Sequence, residues 1–288
     1  MRFTRSGGIA DRIVETIINE VRKDFSYRNR GDEFYTQKED VAKILATLSE
    51  HLRGKVVYCP CGNADHSFFY KTLRDNFKKW GLRGLYATWL PNMACYYDGT
   101  KETRWRIDSG RFQDTGDFFA KCDVVVTNPP FSKSQPNEMI DIIYRHGKEY
   151  IMIADRALTM LQRVFKYVRG GSMRTLDMRL GMFDRPDGTK MEAPAAAYTS
   201  FRSKKPFFMT GVSYDPRIHR KFDDLDAIDC GDNFNLIPDD YYGPIAVSAN
   251  GGGFLRKLND DQFEIISDII RPKMDGKPKK RMLIQRKK

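Results

Sequence analysis

Asn128-Pro129-Pro130-Phe131 is the run in this 288-residue chain best suited to chemistry. It follows residues 122–127, CDVVVT, an almost continuous apolar run of the kind that forms strands buried on both faces of a parallel sheet. Ligand sites in open α/β sheets lie at the carboxyl ends of such strands. An exocyclic amine on an aromatic base is a poor nucleophile, because its lone pair is delocalised into the ring. The Asn128 side-chain oxygen and the Pro129 carbonyl offer two acceptors for such an NH2 group, which favours a pyramidal nitrogen with a localised lone pair. The prolines fix φ and stiffen the loop, and Phe131 offers a flat face on which an extruded base can stack. The nitrogen could then attack an electrophilic methyl in line, helped by positioning and electrostatics, with no covalent enzyme intermediate. The plain alternative is a rigid turn with a core phenylalanine, since turns favour Asn and Pro.

Spacing argues for the chemical reading. A glycine-containing turn, Cys59-Pro60-Cys61-Gly62-Asn63, follows an earlier apolar run at 55–58. The distance from that turn to Asn128 fits three β-α steps of roughly 20 to 30 residues each. A glycine there lets backbone pass close to a cofactor, and the helix that follows can meet a carboxylate. Cys59, Cys61 and His66 could suggest zinc, but a second CxxC or HxxxH half is missing. Small buried thiols beside a strand end are the simpler reading, and the odd count of five cysteines argues against a disulfide framework.

The elements that must position these residues follow from periodicity. Residues 9–25 and 37–52 carry apolar residues at helical spacing, and 66–80 and 138–144 also read as helices. Strands are expected at 55–58, 84–88, 122–127 and 150–154, and this alternation indicates a doubly wound α/β fold. Beyond about residue 165 the texture changes to Arg, Lys, aromatics, Gly and Pro, with possible strands at 195–201 and 206–212. Residues 251–253 read as a flexible glycine turn and 260–270 as a short helix.

Composition sets the partner class. The formal net charge is +11 with a pI of about 9.3, so a polyanion, most commonly nucleic acid, is the natural partner. Part of the excess lies at 271–288, which reads as a solvated basic tail. No apolar run reaches the roughly 20 residues needed to cross a bilayer. The N-terminus lacks a secretory h-region, so a cytoplasmic location without membrane is expected.

The chain resembles the EcoRI-type adenine-specific DNA methyltransferases. The resemblance is carried by DEFYT at 32–36, VVYCPCGN at 56–63, GDFF at 116–119 and NPPF at 128–131, then by RKFDDLDAID at 220–229, IPDDYYGPIAV at 237–247 and FLRKLNDDQFEII at 254–266. It implies an α/β, Rossmann-like class I methyltransferase core, a mostly parallel twisted sheet with helices on both faces, plus a smaller, irregular target-recognition region. The implied activity is transfer of a methyl group from S-adenosylmethionine to adenine N6 in DNA, as in restriction–modification. Residue by residue, Phe34, Tyr35 and Thr36 would line the methionine end of the cofactor. Pro60, Cys61 and Gly62 would form its cradle, Asp117 and Phe118 would sit beside its adenine, and Asn128, Pro129, Pro130 and Phe131 would hold the target base. The implied organisation is an N-terminal helical segment (1–30), a catalytic core (31–165), a target-recognition region (166–240) and a C-terminal segment with the basic tail (241–288). The strand at 84–88 ends without the acidic residue that often grips ribose hydroxyls, and Asp98 or a water would have to substitute. Cytosine N4, an RNA adenine or a protein glutamine could occupy the same pocket, and a non-catalytic DNA-binding protein of the same fold is the remaining alternative. Metal is not expected, and the motifs leave the oligomeric state open.

Overall fold

The computed structural model describes residues 35–131, 134–185 and 188–288. The helical pattern at 9–25, the segment 1–30 and Phe34 lie outside the described residues.

In chain order the first part comprises β1 (Tyr35–Thr36), α1 (Lys38–Leu48), β2 (Val56–Pro60), α2 (Phe68–Asp75), α3 (Phe77–Trp80), β3 (Gly84–Trp89), β4 (Met93–Tyr97) and β5 (Glu102–Arg106). It continues with α4 (Gly116–Lys121), β6 (Val124–Thr127), α5 (Gln135–Arg145), β7 (Glu149–Asp155), α6 (Gln162–Arg169), β8 (Arg174–Thr175), β9 (Leu180–Asp184) and β10 (Lys190–Thr199). These strands form one ten-stranded sheet in the order β1-β9-β10-β7-β6-β2-β3-β4-β5, with β8 on β10. The four central strands, β7, β6, β2 and β3, are parallel, and the strands on both flanks are antiparallel. The fold is the expected Rossmann-like α/β arrangement.

Strand periodicity explains why helices cover both faces. Val57, Cys59, Val124, Val126, Ile151 and Ile153 face one way and pack with α1 and α2 through Ile44, Leu45, Tyr70 and Leu73. Tyr58, Val125, Tyr150 and Met152 face the other way and pack with α5 and α6 through Met139, Ile143 and Phe165. Continuous apolar runs are therefore what β6 and β7 require.

The hairpin β4–β5 was not legible as strands, because its outer member, Glu-Thr-Arg-Trp-Arg, is a half-exposed edge with no buried residue. Its turn is made by Asp98, whose carboxylate accepts from the backbone N–H groups of Thr100 and Lys101, both at 2.8 Å, and from the Thr100 hydroxyl. Those bonds hold its carboxyl down to about 2. Asp98 is committed to this turn rather than to a ribose.

A second sheet follows, made of β11 (Ile228–Gly231), β12 (Ile245–Val247), β13 (Phe263–Ile265) and β16 (Met282–Arg286), with β14 (Lys273–Met274) and β15 (Lys277–Pro278) forming a separate hairpin. Its order is β11-β12-β16-β13, and Ile228, Val247, Phe263, Met282 and Ile284 share one hydrophobic core with α5 and α6. Four expectations are corrected here. Residues 260–270 hold β13 rather than a helix, because Phe263–Ile265 pairs with β16. The basic tail is no solvated end: β16 lies between β12 and β13, with Arg281 bound to Asp229 at 2.7 Å and Arg286 to Asp239 at 3.3 Å. Residues 206–212 form no strand, and the Gln262 side-chain amide instead brackets Phe208, accepting from its N–H and donating to its carbonyl. Gly251 is a close approach rather than a flexible turn, since a Cβ there would strike the ring and hydroxyl of Tyr198. Residues 166–240, expected as a separate recognition region, also supply β8, β9 and β10 to the main sheet.

Candidate active site

β2 connects to β3 on one side, and its other neighbour is β6. The chain direction of the windings reverses between β2 and β6, and such a switch point leaves a crevice at the carboxyl ends of the strands. A cavity of about 670 Å³ occupies that position, within the range usual for small-molecule sites.

The strand ends build its walls. The hydroxyl of buried Thr127 donates to the Pro60 carbonyl at 2.9 Å, tying β6 to β2 directly behind Asn128 and Cys61. Beneath it, the buried Tyr58 hydroxyl donates to Thr115 Oγ1 at 2.8 Å and meets Thr88 Oγ1 at 2.6 Å. Burial pushes the Tyr58 phenol well above its usual range, so it stays protonated. Cys61 turns into the left-handed region, φ 61°, uncommon for a side-chain-bearing residue. Gly62 follows because a Cβ there would lie 2.7 Å from Cys59 Cβ and 2.9 Å from its carbonyl oxygen.

Of the residues singled out by sequence, Tyr35, Thr36, Pro60, Cys61, Gly62, Asn128, Pro129 and Pro130 all line this cavity. Tyr35 and Thr36 arrive from the far edge because β1 pairs with β9. Thr36 is buried, and its hydroxyl has no hydrogen-bond partner among the described residues. Phe131 does not line the cavity; its ring meets Phe183 edge-on at 5.3 Å. Asp117 is exposed in the first turn of α4, and Phe118 stacks on Tyr58 at 5.5 Å, both outside the lining.

The lining includes residues that sequence reasoning passed over: Trp89 and Leu90 at the end of β3, and Gly110, Phe112 and Asp114 before α4. The Ser109 hydroxyl donates to the Asp114 carboxylate at 2.7 Å. Asp114, which lines the cavity, lies three residues before Asp117 of the GDFF motif, which does not. Gly110 is forced by contact, since a Cβ there would collide with the carbonyl of Trp89.

Cys59 packs on the α1 side of the sheet and Cys61 on the α5 side, so the Cys-Pro-Cys run does not converge on one point. Cys59, Cys95, Cys122 and Cys230 are buried, while Cys61 is half-buried in the cavity wall. Burial pushes the Cys95 thiol up to about 11 and those of Cys122 and Cys230 up to about 12. Among these five, a thiol reagent at neutral pH should therefore modify Cys61 first, by roughly tenfold or more. Peptide mapping after brief alkylation checks this, and a faster reaction at Cys122 or Cys230 would contradict the burial pattern.

Comparison with known proteins agrees with this layout. A family model described as "Adenine-specific methyltransferase EcoRI" matches residues 24–115, which hold β1 to β5 and the first wall of the cavity. The Type II methyltransferase M.EcoRI of Escherichia coli is 28% identical over 83% of this chain and 86% of its own length. The Type II methyltransferases M.MpnI of Mycoplasma pneumoniae and M.MgeORF184P of Mycoplasma genitalium are 25% and 23% identical, each over 84% of both chains. No described helix is long and apolar enough to cross a membrane. The similarity to these Type II methyltransferases runs over most of the chain, and the stretch that the family model matches takes in the cavity's first wall.

Proposed function

We propose that this chain transfers a methyl group from S-adenosylmethionine to the N6 amine of adenine at a specific site in DNA, acting on a base extruded from the duplex. The observation that carries the reading is the convergence of Asn128, Pro129 and Pro130 with Thr36, Cys61 and Gly62 on one cavity at the switch point. The Type II relatives make duplex DNA the natural substrate and restriction–modification the natural setting, and the net charge of +11 suits a polyanion.

The cavity's residues fit the cofactor. Trp89, Leu90 and Phe112 offer apolar and aromatic walls for a purine, Asp114 offers a carboxylate, and the buried Thr36 hydroxyl has no partner among the described residues. When bound, S-adenosylmethionine supplies an electrophilic methyl group on a sulfonium centre. Thr36, Cys61 and Gly62 hold the end nearest β1 and β2, and Asp114 holds the purine side. Asn128 Oδ1 and the Pro129 carbonyl accept the two hydrogens of the target amine and orient its lone pair. The two prolines keep those acceptors fixed before the base arrives, which is where preorganised electrostatics gain their effect. Phe131, braced by Phe183, offers its ring to the extruded base.

Asp114 rather than Asp117 is assigned to the cofactor, because Asp114 is in the cavity wall. Asp114→Ala should weaken S-adenosylmethionine binding by about 10- to 100-fold, the range for a hydrogen bond to a charged group. Asp117→Ala should leave it near wild type, with calorimetry as the measurement. Equal losses in both variants would return the role to Asp117. The reading as a whole is tested by offering labelled methyl donor with unmethylated duplex DNA, RNA or protein. Incorporation into DNA is expected, and incorporation into RNA or protein alone would refute it.

A further inference from the structure

Nine arginines between residues 156 and 220 could meet a nucleic acid, and the structure divides them; Arg185 is half-buried with its guanidinium on the Met191 sulfur. Five are engaged by carboxylates of the chain itself. Arg163 faces Asp141 at 3.9 Å, Arg169 faces Asp268 at 3.0 Å and Arg174 faces Asp260 at 3.0 Å. Arg217 and Arg220 sit 2.7 Å from Asp215 and Asp275. Arg156, Arg179 and Arg202 are exposed and have no ion pair among the described residues.

Topology then separates these three. β7 runs parallel to β6 with Met152 opposite Thr127, and it ends at Asp155. Arg156 is the next residue, so it stands at the sheet edge where Asn128 leaves β6. Asp155, Ala195 and Leu180 lie in one row across β7, β10 and β9. β9 runs parallel to β7, so Arg179, just before Leu180, lies one residue below this row and Arg156 one residue above it, two strands apart and roughly 12 Å by the usual strand spacing and rise. Arg202 follows the end of β10, whose Thr199 pairs with Ile151 near the start of β7, and so belongs to the opposite edge.

The pair is built into its surroundings. The carbonyl of Arg156 accepts from Gly251 N–H at 2.7 Å. A Cβ at Gly252 would lie 3.0 Å from Arg156 Cδ, so the glycine run lets the arginine stem lie flat against the chain. Behind them Arg256 is 7% exposed, and its Nε has no hydrogen-bond partner among the described residues. Burial pushes its guanidinium down from its usual range, Asp177 opposes that and the charge of Arg179 adds to it. Asp177 is itself held by Lys257 at 2.7 Å. Two exposed arginines without an ion pair among the described residues thus lie near the end of the sheet that carries the target-base motif.

We propose that Arg156 and Arg179 form a phosphate clamp that grips the phosphodiester backbone of the DNA beside the extruded nucleotide. This rests on the function proposed above. The clamp fixes where the backbone runs, while Arg169, Arg174, Arg217 and Arg220 serve the fold. Gly251 and Gly252 belong to the clamp, because they seat the Arg156 stem.

The test is the salt dependence of binding by the full chain to an unmethylated duplex that the wild type methylates. Each lost phosphate contact lowers the slope of log affinity against log salt by about 0.9. R156Q and R179Q should each lower it by about that amount, the double variant by about twice as much, and R156K should restore it. R220Q, which removes an arginine already paired with Asp275, should keep the wild-type slope. Cofactor affinity, measured in the same proteins, should stay at the wild-type value and so report intact folding. A double variant with wild-type slope and wild-type cofactor affinity overturns the clamp. A wild-type chain that neither binds nor methylates DNA overturns the function proposal itself.

Discussion

Asn128→Ala is expected to slow methyl transfer by about 10²- to 10³-fold while leaving S-adenosylmethionine affinity within a few-fold of wild type. The magnitude is that of losing one preorganised polar partner at a reacting centre, about 2.7–4 kcal/mol. Asn128 stands on the rigid loop after β6, and Thr127 ties that loop to β2 through the Pro60 carbonyl. The substitution removes the acceptor proposed for the target amine without touching Thr36, Gly62 or Asp114, the residues proposed to hold the cofactor. The loss should therefore appear in kcat rather than in cofactor binding. Asn128→Asp separates geometry from chemistry, since it keeps an oxygen at the same place. Single-turnover transfer at the wild-type rate in Asn128→Ala would remove Asn128 from the chemical step.

Gly110→Ala should have the other large effect, and on a different quantity. The added methyl would collide with the backbone carbonyl of Trp89, and the Gly110 N–H donates to the Pro91 carbonyl at 2.8 Å. Backbone on both sides leaves little room to relax, so the cost should reach about 3 kcal/mol, the upper end for overpacking. Because Trp89, Leu90 and Phe112 form the apolar wall around Gly110, cofactor affinity should fall at least tenfold even in the folded fraction. Gly116→Ala is the control, since nothing lies within 4 Å of a Cβ there. Chemical unfolding and calorimetry read the two effects. A Gly110→Ala protein as stable as Gly116→Ala, with unchanged affinity, would contradict the close approach of these two loops.

The central sheet was legible because it is buried on both faces. VVV in β6 and YIMIA in β7 have no polar residue to confuse the pattern, and the spacing between Gly62 and Asn128 followed from the α/β repeat. The NPPF motif and the Tyr35–Gly62 half of the cavity followed for the same reason: both sit at the ends of strongly patterned strands. Partner-dependent elements were not legible. β13 looked helical because Phe263, Ile266 and Ile270 recur at helical spacing, and only pairing with β16 decides for a strand. The tail looked solvated because Arg and Lys dominate it, yet Met282 and Ile284 alternate inward while Arg281 and Arg286 find carboxylates more than forty residues away. The place of Asp114 in the cavity wall was not legible because it depends on where a loop turns, and the neighbouring Asp117 had a more conspicuous motif around it.

The central claim is that the amine delivered to Asn128 is adenine N6. Its most direct test is incubation of the purified chain with methyl-labelled S-adenosylmethionine and unmethylated genomic DNA, followed by complete digestion and mass spectrometry of the nucleosides. The account predicts the label in N6-methyldeoxyadenosine, at one recognition sequence, with none in the Asn128→Ala protein. Label in N4-methyldeoxycytidine, or DNA that takes up no label while the chain still binds the cofactor, would contradict it.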